Sequence, residues 1–128
     1  MPIRIVQLGS ARAKDEGPRL GTVRRPPRGV PKTEFASRNF YDAWLPELSP
    51  TEGLVKYALA ASTDREWKVF VKRYRAEMKR PGAARLLALL AVLSRESNFS
   101  VGCYCERPER CHRSVLAELL NEHGARLK

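Results

Sequence analysis

Apolar positions gather in short β-branched runs near the two ends of the chain and in helical stripes between them. Ile3 to Leu8 is such a run, and it stops at Gly9-Ser10, so it predicts a buried strand. Arg19 to Arg25 predicts a second short strand. Pro26-Pro27 ends it, because neither proline can donate a ladder hydrogen bond. Residues 28–45 predict a long irregular loop, pinned to the body of the domain by Phe35, Phe40, Tyr41 and Trp44.

The period then changes to that of helices. Ser49-Pro50-Thr51-Glu52 has the form of a capping box, followed by Leu54, Tyr57, Ala58 and Ala61 on one face. Thr63 to Glu66 repeats the capping pattern, and Trp67, Phe70, Val71, Tyr74 and Met78 follow at core-facing spacing until Pro81-Gly82. Ala83 to Glu96 is apolar around most of its circumference and predicts the most buried helix. Phe99 to Tyr104 predicts another strand, and Cys111 to His123 a last helix capped by Gly124. Strands alternating with helices predict a small three-layer α/β sandwich, with a short, mainly parallel sheet and about four helices. Residues 1–128 are expected to form one domain.

Composition adds less. Hydrophobic residues make up 43% and charged residues 30% of the chain, which is the balance of a folded globular domain. No apolar run reaches the roughly 18 residues that span a bilayer, so no membrane partner is expected. The start, Met-Pro-Ile-Arg-Ile-Val, lacks the features of a secretory signal, so a cytoplasmic setting with reduced cysteines is expected. The net charge of +10, concentrated between Arg4 and Arg38, favours phosphate-bearing small molecules or nucleic acid as partners.

Candidate chemistry is confined to one stretch, Cys103 to Arg113, which holds all three cysteines and one of the two histidines. Cys103 and Cys105 should share a face of the strand, and Cys111, His112 and Arg113 should open the helix that follows. A helix start attracts anions and, with Arg110 and Arg113 nearby, favours a Cys111 thiolate. The catalytic candidates are therefore Cys111 as nucleophile or redox thiol, His112 as proton carrier and Glu106 as the group orienting one of them. The anion-binding candidates are Arg113 and the arginine loop residues Arg24, Arg25 and Arg28, whose guanidinium forks suit phosphate oxygens. Cys105 is the candidate thiol partner of Cys111 in a reversible disulfide. Cys103 alone reads as a small buried hydrophobe.

Zinc is the competing reading of the cysteines and His112. The ligand types suit it. The spacing does not, because adjacent residues diverge by about 100° around a helix, so no metal and no cofactor is expected. The alternatives to a thiol-based enzyme are a non-enzymatic basic nucleic-acid-binding module and a zinc-stabilised structural protein. His123, in a last helical turn, is assigned no role.

Gly17-Pro18-Arg19, Pro27-Arg28-Gly29, Trp44, Ser49-Pro50-Thr51, Phe70 with Tyr74, Cys105-Glu106 and Cys111-His112-Arg113 occur in an order that resembles a prokaryotic family. It is known as domain of unknown function 488, and its YeaO-like branch is the most similar. The resemblance spans most of the chain, and Cys-His-Arg is its most specific part. It implies the fold and the site location, with no activity attached. Val23 stands where the family usually has an acid before the arginine of strand two, and Pro26 where it has tryptophan.

Overall fold

The computed structural model describes residues 3–105 and 111–127. Among them, four strands form one all-parallel sheet in the order β1-β4-β2-β3, with β1 at Ile3–Gln7, β2 at Arg19–Gly21, β3 at Ala43–Trp44 and β4 at Phe99–Cys103. The helices are α1 at Glu52–Ala60, α2 at Asp64–Glu77, α3 at Pro81–Leu93 and α4 at His112–Glu122. This is the expected small α/β fold. No helix among the described residues is long and apolar enough to cross a membrane.

The two faces of the sheet are covered differently. Ile3, Ile5, Leu20, Phe99 and Val101 belong to the main core, with Leu54 of α1, Phe70 and Tyr74 of α2, Leu87 and Leu90 of α3, and Leu116 and Leu120 of α4. The other face carries the alternate residues, Arg19, Gly21, Ser100 and Gly102, and lies under the irregular segments. A Cβ on Gly21 would stand 2.3 Å from the Tyr41 ring, and one on Gly102 would stand 2.5 Å from the Val6 carbonyl oxygen. Both glycines are therefore required by close packing. All four helices contribute to the core on one face of the sheet, and irregular segments cover the other.

An ionic network anchors the loop layer. Arg19 is fully buried, with Nε donating to Glu16 Oε2 at 2.7 Å and Nη2 to Oε1 at 3.0 Å. Its Nη1 donates to the carbonyls of Ser10 at 2.8 Å and Asn39 at 2.7 Å. Ser100 Oγ of β4 donates to Glu16 at 2.6 Å. Burial alone raises the Glu16 carboxyl, but hydrogen bonds from Arg19, Ser100 and the Ala13 amide outweigh it and hold the group at about 2.

Several local expectations need correction. The box at Ser49–Glu52 does not form: α1 starts at Glu52 with Thr51 as its N-cap, and Ser49 Oγ donates to the Pro50 carbonyl. The Glu77 carboxylate takes over, accepting from Thr51 N at 2.9 Å and Oγ1 at 2.6 Å. The second box is present, with Thr63 and Glu66 bonded reciprocally. The strand expected to run to Arg25 ends at Gly21, since the chain turns away to place Arg24 on the carbonyls of Ser49 and Pro50.

The stretch 28–45 is not wholly irregular: Lys32–Glu34 forms a 3-10 turn, and Ala43–Trp44 adds an edge strand. Trp44 is 42% exposed there and pins the loop through its indole N–H, which donates to the Val23 carbonyl at 2.7 Å. Trp67, Phe70 and Tyr74 do stack in series. Helix α3 is less buried than its apolarity predicts, with Leu89, Val92 and Leu93 exposed, because only its inner face meets the core.

Removing the Glu16 charge should be severe. Glu16→Gln leaves Arg19 without a counterion in a buried site, and a loss of about 3–5 kcal/mol is expected in urea unfolding. A change under about 1 kcal/mol contradicts the role given to the network. Because the folded value lies below the usual 4.5, the contribution is complete above about pH 4.5 and declines as pH falls through about 2. Unfolding midpoints measured across that window should fall in wild type and much less in Glu16→Gln.

Candidate functional site

Three elements converge at the carboxyl end of the central strand. Strand β4 delivers Cys103, the residue after β2 delivers Thr22, and the start of α4 delivers Cys111 and His112. Thr22 is fixed to β4 twice, its N–H and Oγ1 each reaching the Gly102 carbonyl at 3.0 Å. The Cys103 carbonyl accepts from Leu8 N at 2.8 Å. The site therefore rests on backbone that the sheet holds in place.

Cys111 is the N-cap of α4, with extended backbone angles of φ −125° and ψ 150°. Adjacent residues diverge by about 100° only where both are helical, and Cys111 is not. From this extended position Cys111 swings its sulfur back toward His112, and Sγ lies 3.8 Å from Nδ1. Cys103 Sγ, Cys111 Sγ and a His112 ring nitrogen all lie within 4.8 Å of one another. The Cys103 and Cys111 sulfurs are joined as a disulfide, with Cα atoms 8.0 Å apart.

The pairing differs from the expected one. Cys105 is a free cysteine on the exposed surface, and Cys103 takes the place assigned to it. Strand alternation relates Cys103 to Cys105 only while the strand continues, and β4 ends at Cys103. Loss of hydration pushes the Cys105 thiol up, although Arg113 nearby acts in the opposite direction. Cys103 is buried as expected, within an apolar cluster of Leu8, Val23, Tyr41 and Cys111.

His112 sits between Thr22 and Tyr74. Its Nε2 is 2.7 Å from the Thr22 carbonyl oxygen, and its ring meets the Tyr74 ring edge-on at 5.6 Å. Burial lowers its basicity to about 4, with Arg113 adding to the effect and the Thr22 carbonyl opposing it. The imidazole is neutral near pH 7. A carbonyl only accepts, so the ring proton is on Nε2 and the Nδ1 lone pair faces the sulfurs.

The arginines are placed differently from one another. Arg113 is buried, and its Nη2 donates to the Cys105 carbonyl at 2.6 Å, so it fixes the backbone at the end of β4. Arg24 holds Ser49 and Pro50, and Arg25 pairs with Glu52, both at the start of α1. Arg28 is exposed on the same loop. That loop does run beside the site, since Tyr104 Oη donates to the Arg25 carbonyl at 2.8 Å. Glu106 and Arg110 lie outside the described residues.

Two clefts of about 310 and 300 Å3 flank the start of α1, the second lined by Arg24, Glu47, Ser49, Glu77 and Arg80 among others. Neither includes Cys111. The residues that sequence reasoning missed are Thr22 and Tyr74, which contact His112. No motif marks them, because the first acts through a carbonyl and the second reads as an ordinary core aromatic.

A family model, DUF488-N3a, described as the active DUF488-N3 subclade, matches residues 3–124. The match does not extend to the YeaO-like branch that the sequence resembles. Comparison with curated proteins and with solved structures gives no match.

The cysteine arrangement is open to direct mapping. Alkylation of unreduced protein should mark Cys105 alone, and peptide mass spectrometry should recover a Cys103–Cys111 cross-link that reduction removes. A cross-link between Cys105 and Cys111 contradicts the geometry.

Proposed function

The chain belongs to the DUF488 family, and on that premise we propose that it is a thiol-based enzyme acting on a phosphate-bearing ligand at the Cys111–His112 turn. The 2.7 Å contact between His112 Nε2 and the Thr22 carbonyl oxygen is the observation that carries this reading. With its Nε2–H hydrogen-bonded to the Thr22 carbonyl, His112 turns Nδ1 toward Cys111 and accepts a hydrogen bond from that thiol once the pair is reduced. Cys103 is the second thiol of the centre, able to cap Cys111 as a disulfide. Glu106 keeps its proposed role as the orienting carboxylate.

The anion would approach at the carboxyl end of β4, where the start of α4 presents the positive end of its dipole. Exposed Arg28 supplies charge at that edge, while Arg24 and Arg25 hold the loop that carries it. Arg113 contributes by fixing the Cys105 carbonyl. The description of the matching subclade as active agrees with an enzyme. A cytoplasmic setting, which keeps thiols reduced, completes the reading. Cys111 is only 2% exposed, so its chemistry requires the turn to open locally.

The net charge of +10 favours a second reading, a basic nucleic-acid-binding module. In that case binding to an oligonucleotide weakens steeply with salt and survives Cys111→Ser.

Site-resolved alkylation separates these readings. In reduced protein at neutral pH, iodoacetamide should label Cys111 faster than Cys105. His112→Gln should slow Cys111 by about 10-fold or more, and inorganic phosphate should protect it. If Cys111 stays unlabelled while Cys105 reacts, the catalytic reading fails.

A further inference from the structure

We propose that Cys103, Cys111 and His112, with both thiols reduced, form a binding site for one zinc ion. The two sulfurs and Nδ1 would be its protein ligands. The inference does not depend on Cys111 attacking a substrate. It rests on where the three ligand atoms stand and on what holds them there.

Convergence is the first observation. One ligand atom from each residue falls within 4.8 Å of the other two, close enough for one ion to bridge all three once reduction lets the sulfurs separate. Thiolate and imidazole are the ligand types zinc prefers, with bonds of about 2.3 Å to sulfur and about 2.0–2.1 Å to nitrogen. The softness of two sulfurs argues against magnesium or calcium, which take oxygen ligands.

Backbone spacing is the second. The Cα atoms of Cys103 and Cys111 are 8.0 Å apart. Once the pair is reduced, two sulfurs on one tetrahedral zinc stand about 3.8 Å apart, given the usual bond length, and this backbone separation accommodates them. The rigid parts of the site, the end of β4 and the first turn of α4, are set at a distance that suits an ion between the thiols.

The orientation of His112 is the third. Metal-bound histidines characteristically donate their other ring N–H to a carbonyl or carboxylate, which fixes the ring and raises its strength as a ligand. His112 already makes that bond to Thr22 at 2.7 Å, and Tyr74 packs against the ring. Nδ1 lies 3.8 Å from the Cys111 sulfur, and a ring nitrogen is within 4.8 Å of the Cys103 sulfur, so the ring is placed to act as a ligand. Both cysteines belong to a buried apolar cluster with Leu8, Val23 and Tyr41.

Among the described residues, three protein ligands converge. A fourth position is then left for water or an exogenous ligand, as in zinc sites that do chemistry. Because Cys105 is free on the surface and separate from the cluster, it is not assigned to the ion.

Cobalt(II) substitutes for zinc and reports thiolate ligands by absorbance. Titrating Co2+ into the reduced full chain should give one equivalent of a complex, with a sulfur-to-cobalt charge-transfer band in the near ultraviolet and intense tetrahedral bands in the visible. One equivalent of Zn2+ should bleach both. Cys105→Ser should retain the spectrum. Cys103→Ser and His112→Gln should each weaken binding by more than the roughly 10–100-fold that changes outside the coordination sphere cost. No charge-transfer band in reduced wild type overturns the proposal, and that result needs no variant to fold. A band that persists in Cys103→Ser also overturns it. Alkylation of Cys111 in chelator-treated protein reports the thiol-enzyme reading separately, so either can fail alone.

Discussion

The register of β2 against β4 is the constraint on which the rest of the structure depends. Gly21 stands beside Gly102 in a parallel ladder, so Thr22 and Cys103 emerge together at the carboxyl end of the sheet. Helix α4 then needs only to bring its first turn to that end, and His112 meets the Thr22 carbonyl. A slip of one residue would turn Leu20 and Val101 out of the core, so the hydrophobic pattern that folds the sheet also fixes the site. Glycine at both positions lets Tyr41 and Val6 approach closely enough for that register to be packed on the loop side.

The loop side of the sheet carries little regular structure, and ionic anchoring compensates. Arg19 gathers Glu16, Ser10 and Asn39 around one guanidinium, so two separate loops share one buried anchor point. Ser100 connects that network to the strand that ends in Cys103. A buried pair of this kind is costly to desolvate, and its value lies in holding irregular backbone in one arrangement. The other face has the ordinary solution, aliphatic and aromatic side chains from four helices on Ile3, Phe99 and Val101.

Much of the fold was legible because it follows from period. The strands at both ends, the stripe of Phe70 and Tyr74, the Thr63 cap and the left-handed Gly124 all follow from local patterns. The false capping box at Ser49 shows the limit: the helix begins later, and Glu77, distant in sequence, caps Thr51 where Glu52 was expected to cap Ser49. Leu89 and Val92 mislead for a related reason, since apolarity says a face is able to be buried but not that a neighbour is there to cover it. The convergence of Cys103, Cys111 and His112 was legible from the density of such residues in one stretch. Its membership was not, because Cys111 is extended where a helical residue was assumed, and because Thr22 contributes a carbonyl, which any residue type supplies.

The central claim is that the sheet presets His112, with Nε2–H on Thr22 and Nδ1 facing the sulfurs. Long-range 1H–15N correlation NMR on reduced, chelator-treated protein reads the tautomer of that ring directly. Near neutral pH the account requires the Nε2–H form as the dominant species. A ring protonated at Nδ1, or one averaging between the two forms as in free solution, contradicts it.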